Sequence, residues 1–240
     1  MAMPIYTLLI DIRHAEERGS VNLGWLDSKH TFSFGHFVDP EYMNFGPLRV
    51  INEDRIQPGE GFPTHGHENM EIISYVLDGA LEHKDSIGTG SVIRAGEVQR
   101  MSAGTGIRHS EYNPSSEDGA HFLQIWIIPG EMDIDPGYEQ KMFAPADRRG
   151  ELTLVAAKDG RGGALTVHQD VDLYSAVLDD GDTVSLNLRD GRRAWVQVAR
   201  GTARVNGTQL YPGDGAAVSN EAAIDVTATS DAEVLVFDMA

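Results

Sequence analysis

The sequence predicts an all-β protein made of two similar β domains in tandem. Three observations carry that prediction. Glycine, at 26 residues, cuts the chain into short pieces. Many pieces alternate β-branched or aromatic side chains with polar ones, as half-buried strands do. One stretch of the first half also recurs in the second, which is the mark of a duplicated unit.

In chain order, "MAMPIYTLLIDIRHAEERGS" opens with a short apolar run. It has no basic lead and no small-residue cleavage site, so it reads as a strand rather than a signal peptide. Residues 13–19 and 139–149 fit short helices. Strands are expected at "HTFSFGHF" (30–37), "LRVINEDRI" (48–56), "EIISYVL" (71–77), "FLQIWII" (122–128), "AWVQVA" (194–199) and "EVLVFD" (233–238). Turn signals such as "LDGA", "IGTGS", "VNGTQ" and "YPGDG" separate them, and this spacing fits a sandwich or barrel. The repeat pairs residues 76–102 with 198–219 through a shared Gly-x-x-(Ile/Leu)-x-x-Gly unit at 90–96 and 207–213. Pro129, Pro136 and Pro145 cluster between the copies, which places the domains at 1–135 and 136–240.

Composition narrows the function. Nineteen Lys and Arg against 37 Asp and Glu give a formal net charge of −18, which disfavours nonspecific contact with nucleic acid or anionic membrane. The basic clusters Arg148–Arg149 and Arg189–Arg193 read as solvated turn charges. The absence of cysteine excludes disulfides, thiolate metal sites and cysteine nucleophiles. No apolar stretch approaches the ~20 residues that cross a bilayer. A soluble, cytoplasmic protein is expected. Two fused β domains need no partner, so a monomer is the default; a protein partner stays open.

The chemistry concentrates in "FPTHGHENMEI" (62–72) and "GIRHSEY" (106–112). Side chains two apart on a strand share a face, so His65 and His67 point one way, and so do His109 and Glu111. On neighbouring strands these four converge, and imidazole nitrogen and carboxylate oxygen bind first-row metals at roughly 2.0–2.2 Å. Three neutral imidazoles and one carboxylate suit Fe(II), Mn, Ni, Cu or Zn better than Ca or Mg. In an octahedral shell, two positions stay open for substrate and O2. Glu71 is a rival carboxylate, reachable if 68–70 turn. His14, His30, His36, His83, His121 and His168 stand alone and read as structural, with His36 and His121 closest to aromatic or apolar strands.

These residues resemble the cupin superfamily, whose Gly-x5-His-x-His-x3–4-Glu-x6-Gly pattern meets Gly59, His65, His67 and Glu71, with Gly79 one residue late. More specifically, "THGHENMEIISYVLDGALEHKDS", "MSAGTGIRHSEYNPS", "GWLDSKHTFSFGHF", "QIWIIP" and "VHQDVDLY" resemble the pirin family, over nearly the whole chain from about residue 11. The resemblance is greatest to bacterial pirins described as quercetin 2,3-dioxygenases. It implies a bicupin with two jelly-roll-like β-barrel domains. It also implies one divalent transition metal, Fe(II) favoured, on His65, His67, His109 and Glu111, with Glu71 beside the ligands.

The activity implied is cleavage of a flavonol such as quercetin with O2, Glu111 taking the hydroxyl proton. A flat aromatic substrate needs an apolar slot. Phe32, Phe34, His36, Phe37 and Met101 are its candidate walls, and each is equally at home in an ordinary core. Two alternatives accompany this reading: a metal-containing pirin-type regulatory protein that binds a protein partner, and a non-oxidative metal-dependent cupin enzyme. Counting back from the second hairpin glycine, Gly201, puts Asn187 and Arg189 in the place of the histidine pair, so the second domain is expected to lack a metal.

Overall fold

A computed structural model describes residues 9–240; residues 1–8 of the expected first strand lie outside the described residues. The first half holds β1 (Leu9–Arg13), β2 (Gly19–Asn22), β3 (Leu26–His30), β4 (Leu48–Ile56), β5 (Gly61–His67) and β6 (Glu71–Asp78). It continues with β7 (Ala80–Asp85), β8 (Gly90–Arg94), β9 (Glu97–Ser102), β10 (Ile107–Tyr112), β11 (Ala120–Ile127) and β12 (Gly137–Met142). The second half holds β13 (Thr153–Ala157), β14 (Leu165–Thr166), β15 (Val171–Leu178), β16 (Thr183–Asn187) and β17 (Arg193–Arg200). After these come β18 (Ala203–Val205), β19 (Thr208–Leu210), β20 (Gly215–Ser219), β21 (Ala223–Ala228) and β22 (Ala232–Met239). The two expected helices shrink to single 3-10 turns, Ala15–Glu17 and Pro145–Arg148. Among the described residues, no helix is long and apolar enough to cross a membrane.

The fold is all-β and duplicated, as expected. In each domain a seven-stranded sheet is accompanied by a four-stranded one, giving jelly-roll-like sandwiches rather than closed barrels. The first pair runs β12-β9-β6-β11-β4-β3-β2 and β5-β10-β7-β8; the second runs β1-β20-β17-β22-β15-β13-β14 and β16-β21-β18-β19. The repeated glycines lie in equivalent turns: Gly79 and Gly201 follow β6 and β17, with φ of 71° and 65° that a side chain would resist.

The expected boundary at 135/136 is crossed twice. β1 pairs with β20 of the second domain, Ile10 opposite Val218. β12 pairs with β9 of the first, Tyr138 opposite Met101. The two additions are equivalent in the duplicated topology, and each covers an edge that would otherwise present unpaired backbone groups.

The largest apolar cluster joins the two long sheets. Ile73, Tyr75, Leu123 and Ile125 pack on Leu173, Trp195, Leu235 and Phe237. Trp195 is fully buried, with ring centroids 5.0 Å from Phe32 and 5.8 Å from Phe45. Gly215 lies under its indole, where a Cβ would come within 2.1 Å of Cζ2. The fold also overturns the solvated reading of two arginines. Arg148 is buried and bonds Ser175 Oγ at 2.6 Å and Glu233 Oε1 at 2.9 Å. Arg192 is buried against Asp238, and also reaches Asp170 at 2.9 Å. Their charge is taken up by carboxylates distant in sequence, which a local reading of a basic cluster cannot show. The "HTFSFGHF" strand is likewise corrected: β3 ends at His30, and Gly35, at φ 59°, turns the chain so that only Phe34 and Phe37 bridge.

Candidate metal centre

Alternation along the central strands separates two environments. On β6, Ile73, Tyr75 and Leu77 join the cluster between the domains, leaving Ile72, Ser74 and Val76 for the sandwich interior. Ser74 begins a polar row at one level of the long sheet. His30 pairs with Asn52, Asn52 with Gln124, Gln124 with Ser74, Ser74 with Gln99, and Gln99 with Gln140. The equivalent row of the second domain is Leu154, Tyr174, Val236, Val196, Ala216 and Ile12. The second sandwich is filled with aliphatic side chains. The first splits its apolar interior into two small clusters, with polar groups between them.

The histidine strands face this row. β10 pairs with β5 so that His109 lies opposite His65 and Glu111 opposite Phe62. Two residues on β10 thus span three on β5, a bulge at Pro63–Thr64, where a missing N–H is tolerated. The ring centroids of His65, His67 and His109 are 4.5–4.9 Å apart, and their ligating atoms lie within 4.8 Å of one another. His67 Nε2 is 3.0 Å from His109 Nε2. Glu111 is buried and shares a second cluster with His109 and His83. Its Oε1 accepts from Ser74 Oγ at 3.2 Å and its Oε2 from Gln124 Nε2 at 2.8 Å.

Neighbours fix the tautomers. His65 Nδ1 donates to the Pro63 carbonyl at 2.8 Å, which leaves Nε2 as the free lone pair. His109 Nδ1 lies 3.4 Å from His83 Nδ1, and His83 Nε2 donates to Asp85 Oδ2 at 2.9 Å. His83 Nδ1 is thereby left as an acceptor, 3.4 Å from both His109 Nδ1 and Gln99 Nε2; a proton on His109 Nδ1 leaves its Nε2 lone pair free, the arrangement that commonly supports a ligating imidazole. Burial, then the neighbouring imidazoles, holds His67 down at about 4 and His109 at about 3. Both are neutral at pH 7, and neutral imidazole is the form that binds metal. Two neutral nitrogens 3.0 Å apart, backed by an anchored carboxylate, fit a divalent transition ion.

A cavity of about 460 Å³ opens beside this group, walled by Leu26, Phe34, Phe62 and Trp126 and reached by His65, His67 and Glu111. Of the expected wall residues, Phe34 and His36 line it. Phe32 is instead buried against Trp195 between the domains. Met101 packs with Ile72 and Ile107 in the core. Phe37 bridges Phe34 and lies beneath the Arg13 guanidinium. Glu71 is not beside the ligands. It is odd-numbered on β6 like Ile73, so it faces the seam, where Oε2 accepts from Ser102 Oγ at 3.0 Å and from the His168 backbone N–H at 3.1 Å.

The lone histidines divide as well. His83 supports His109, and His30 and His36 line the cavity. His121 bonds Glu53 at 3.0 Å, His168 meets Glu71, and His14 lies 3.8 Å from Asp214. In the second domain, Leu186 lies opposite Ile224 and Val184 opposite Val226, as His65 lies opposite His109 and Phe62 opposite Glu111. The place of His65 is thus taken by Leu186 rather than Asn187, because the connection to β17 is one residue longer. Leucine, isoleucine and valine have no donor atoms for a metal.

The sequence matches two family models, one described as Pirin over residues 11–127 and one as the quercetinase C-terminal cupin domain over residues 154–239. The quercetin 2,3-dioxygenase of Escherichia coli strain K12 is 50% identical over 232 residues, spanning 96% of this chain and 99% of that protein. A pirin-like protein of Caulobacter vibrioides is 42% identical over 233 residues, spanning 97% and 100%. The crystal structure of the bacterial pirin YhhW from E. coli in complex with nickel(II) matches with a TM-score of 0.92 at 50% identity, over 96% of this chain and 99% of that one.

Proposed function

Because the chain belongs to the pirin family, we propose that it is a metal-dependent dioxygenase that opens the hydroxyl-bearing ring of a quercetin-type flavonol with O2. One observation carries the reading: three imidazoles converge next to an anchored carboxylate at the edge of an apolar-walled cavity. His65, His67 and His109 hold a single divalent metal, with Glu111 as the fourth ligand. The donor set suits Fe(II) and also accommodates Mn, Ni, Cu or Zn. The metal supplies Lewis acidity toward the flavonol's 3-hydroxyl and 4-carbonyl, and a path for electrons to O2.

The protein's own groups do the rest. Asp85, through His83, and the Pro63 carbonyl hold two imidazoles in the ligating tautomer. Gln124 and Ser74 aim Glu111, which takes the proton of the 3-hydroxyl as the substrate binds. Phe34, Phe62 and Trp126 clamp a flat ring and exclude water. A single chain in the cytoplasm is the working unit, and its charge of −18 agrees with a small-molecule substrate rather than nucleic acid.

The test is anaerobic purification, separate loading with Fe(II), Mn, Ni and Cu, and parallel records of flavonol absorbance and O2 uptake. Coupled loss of both supports the reading. Stoichiometric metal binding without turnover of any flavonol defeats it. Glu111→Gln separates the roles: retained metal with lost turnover assigns Glu111 to proton transfer, and unchanged turnover removes it from catalysis.

A further inference from the structure

Of the four proposed ligands, three are oriented through their own side chains. The Pro63 carbonyl holds His65, His83 faces His109 Nδ1, and Ser74 with Gln124 holds Glu111. His67 differs. Among the described residues, its ring meets one partner at hydrogen-bonding distance, His109 Nε2, and otherwise packs edge to face on Trp126. It is also the last residue of β5, opposite Ile107. Where its imidazole points therefore depends on the backbone that leaves the strand.

That backbone is held by the connection between the domains. Residues 68–70 join β5 to β6, and residues 103–106 join β9 to β10. The two loops bond each other: the Asn69 N–H donates to the Gly104 carbonyl at 2.9 Å, and the Ala103 N–H to the Met70 carbonyl at 2.8 Å. Residues 128–136, which lead from β11 to β12, reach both loops. The Ile134 carbonyl accepts from the Thr105 N–H at 3.0 Å and rests on Gly104, where a Cβ would come within 2.0 Å of that oxygen. Asp133 makes a reciprocal pair with Asn69. Its backbone N–H donates to Asn69 Oδ1 at 2.7 Å, and Asn69 Nδ2 donates to Asp133 Oδ1 at 3.1 Å. Both residues are left-handed, with φ of 48° and 59°. Among the described residues, four non-glycine residues have positive φ, and two of them meet here, beside His67. Residues held in this region cluster where geometry serves a site.

We propose that Asn69 and Asp133 are positioning residues for the metal centre: their pair fixes the exit of β5 and so holds the His67 imidazole against that of His109. The connection to the second domain thereby becomes part of the support of a site lying wholly in the first. The inference rests on His67 being a metal ligand, as the proposed function has it, and is independent of the substrate.

The test is competition between protein and a chelator for Ni(II), with thermal melting of the metal-free protein beside it. Asn69→Gly accepts the left-handed turn and removes both side-chain bonds. It should lower Ni(II) affinity about 5- to 20-fold while the metal-free protein melts within about 4 °C of wild type. Asp133→Gly keeps the backbone N–H and loses the carboxylate acceptor, so it should lose about threefold and carries the test if Asn69→Gly folds poorly. Asp133→Asn restores an acceptor for Asn69 Nδ2 and should match wild type. Asn206 supplies a matched control in the second domain. Its φ is 44°, its Oδ1 accepts from the Asp225 N–H at 2.7 Å, and its Nδ2 donates to the Ala223 carbonyl at 3.1 Å. Asn206→Gly should leave Ni(II) affinity unchanged. Wild-type affinity in both Asn69→Gly and Asp133→Gly, or an equal loss in Asn206→Gly, overturns the proposal and leaves the metal reading standing. A wild-type protein that takes up no Ni(II) sinks the two together.

Discussion

Replacing His83 by leucine tests how the centre is held. His83 accepts the His109 Nδ1–H at 3.4 Å and is itself fixed by Asp85 at 2.9 Å. Without that acceptor, His109 is free to carry its proton on Nε2, which closes the lone pair facing His67. Groups that orient a ligating imidazole in this way are worth about 10- to 100-fold in metal affinity, or roughly 1.4–2.7 kcal/mol. The fold should survive, since Asp85 still accepts from the backbone N–H groups of Ile87 and Thr89, at 3.1 and 2.9 Å. Competition between protein and a chelator for Ni(II) measures the affinity, with circular dichroism and thermal melting as controls. His83→Leu should fall at least tenfold. His83→Gln, whose amide oxygen can accept from His109, should recover much of it. A folded His83→Leu protein that binds Ni(II) within twofold of wild type would show that the chain from Asp85 to His109 does not set the tautomer.

Three further outcomes follow from the packing and charges. In metal-free protein, His67 and His109 bind fewer protons folded than unfolded between about pH 4 and 6.5, so stability falls as pH drops through that window. Burial raises Asp54 to about 7, so it binds more protons folded than unfolded between its ordinary 3.8 and 7 and opposes that slope. Asp54→Asn should therefore steepen the acid loss by ~1.4 kcal/mol per pH unit in urea titrations; an unchanged slope refutes the buried acid. Trp195→Ala should cost about 3–5 kcal/mol in the same assay, because it empties the seam between the long sheets, and a loss below 1 kcal/mol would contradict that role. Arg148→Met removes the nearest cation from Glu233, which keeps the Tyr75 hydroxyl and an Arg200 contact at 3.7 Å, and should cost about 2 kcal/mol, with Arg148→Met/Glu233→Gln recovering much of it.

The convergence of the candidate residues was readable because period-2 alternation is local: His65 with His67 and His109 with Glu111 share faces by spacing alone. The duplication was readable from the shared Gly-x-x-(Ile/Leu)-x-x-Gly unit, whose closing glycines, Gly96 and Gly213, take φ of 86° and 88° that few residue types tolerate. Other features depend on partners distant in sequence. His83 looked solitary because its partner His109 is 26 residues away, although the His83-x-Asp85 spacing on the hairpin strand was a usable signal. Ser74 in "EIISYVL" and Gln124 in "FLQIWII" likewise broke apolar strands at interior positions, and the polar row shows why. Glu71 matched the general cupin pattern yet faces the opposite side of β6, a one-residue difference in phase that a motif does not register. The exchange of β1 and β12 across the domain boundary had no local signature.

The most direct measurement is a crystal structure of the protein soaked or grown with Ni(II) or Fe(II), with anomalous scattering recorded at the metal edge. One strong peak per chain is expected, roughly 2.0–2.2 Å from Nε2 of His65, His67 and His109 and from a carboxylate oxygen of Glu111. A peak elsewhere, or a peak on the histidines with Glu111 still bonded to both Ser74 and Gln124 and away from the ion, would contradict it.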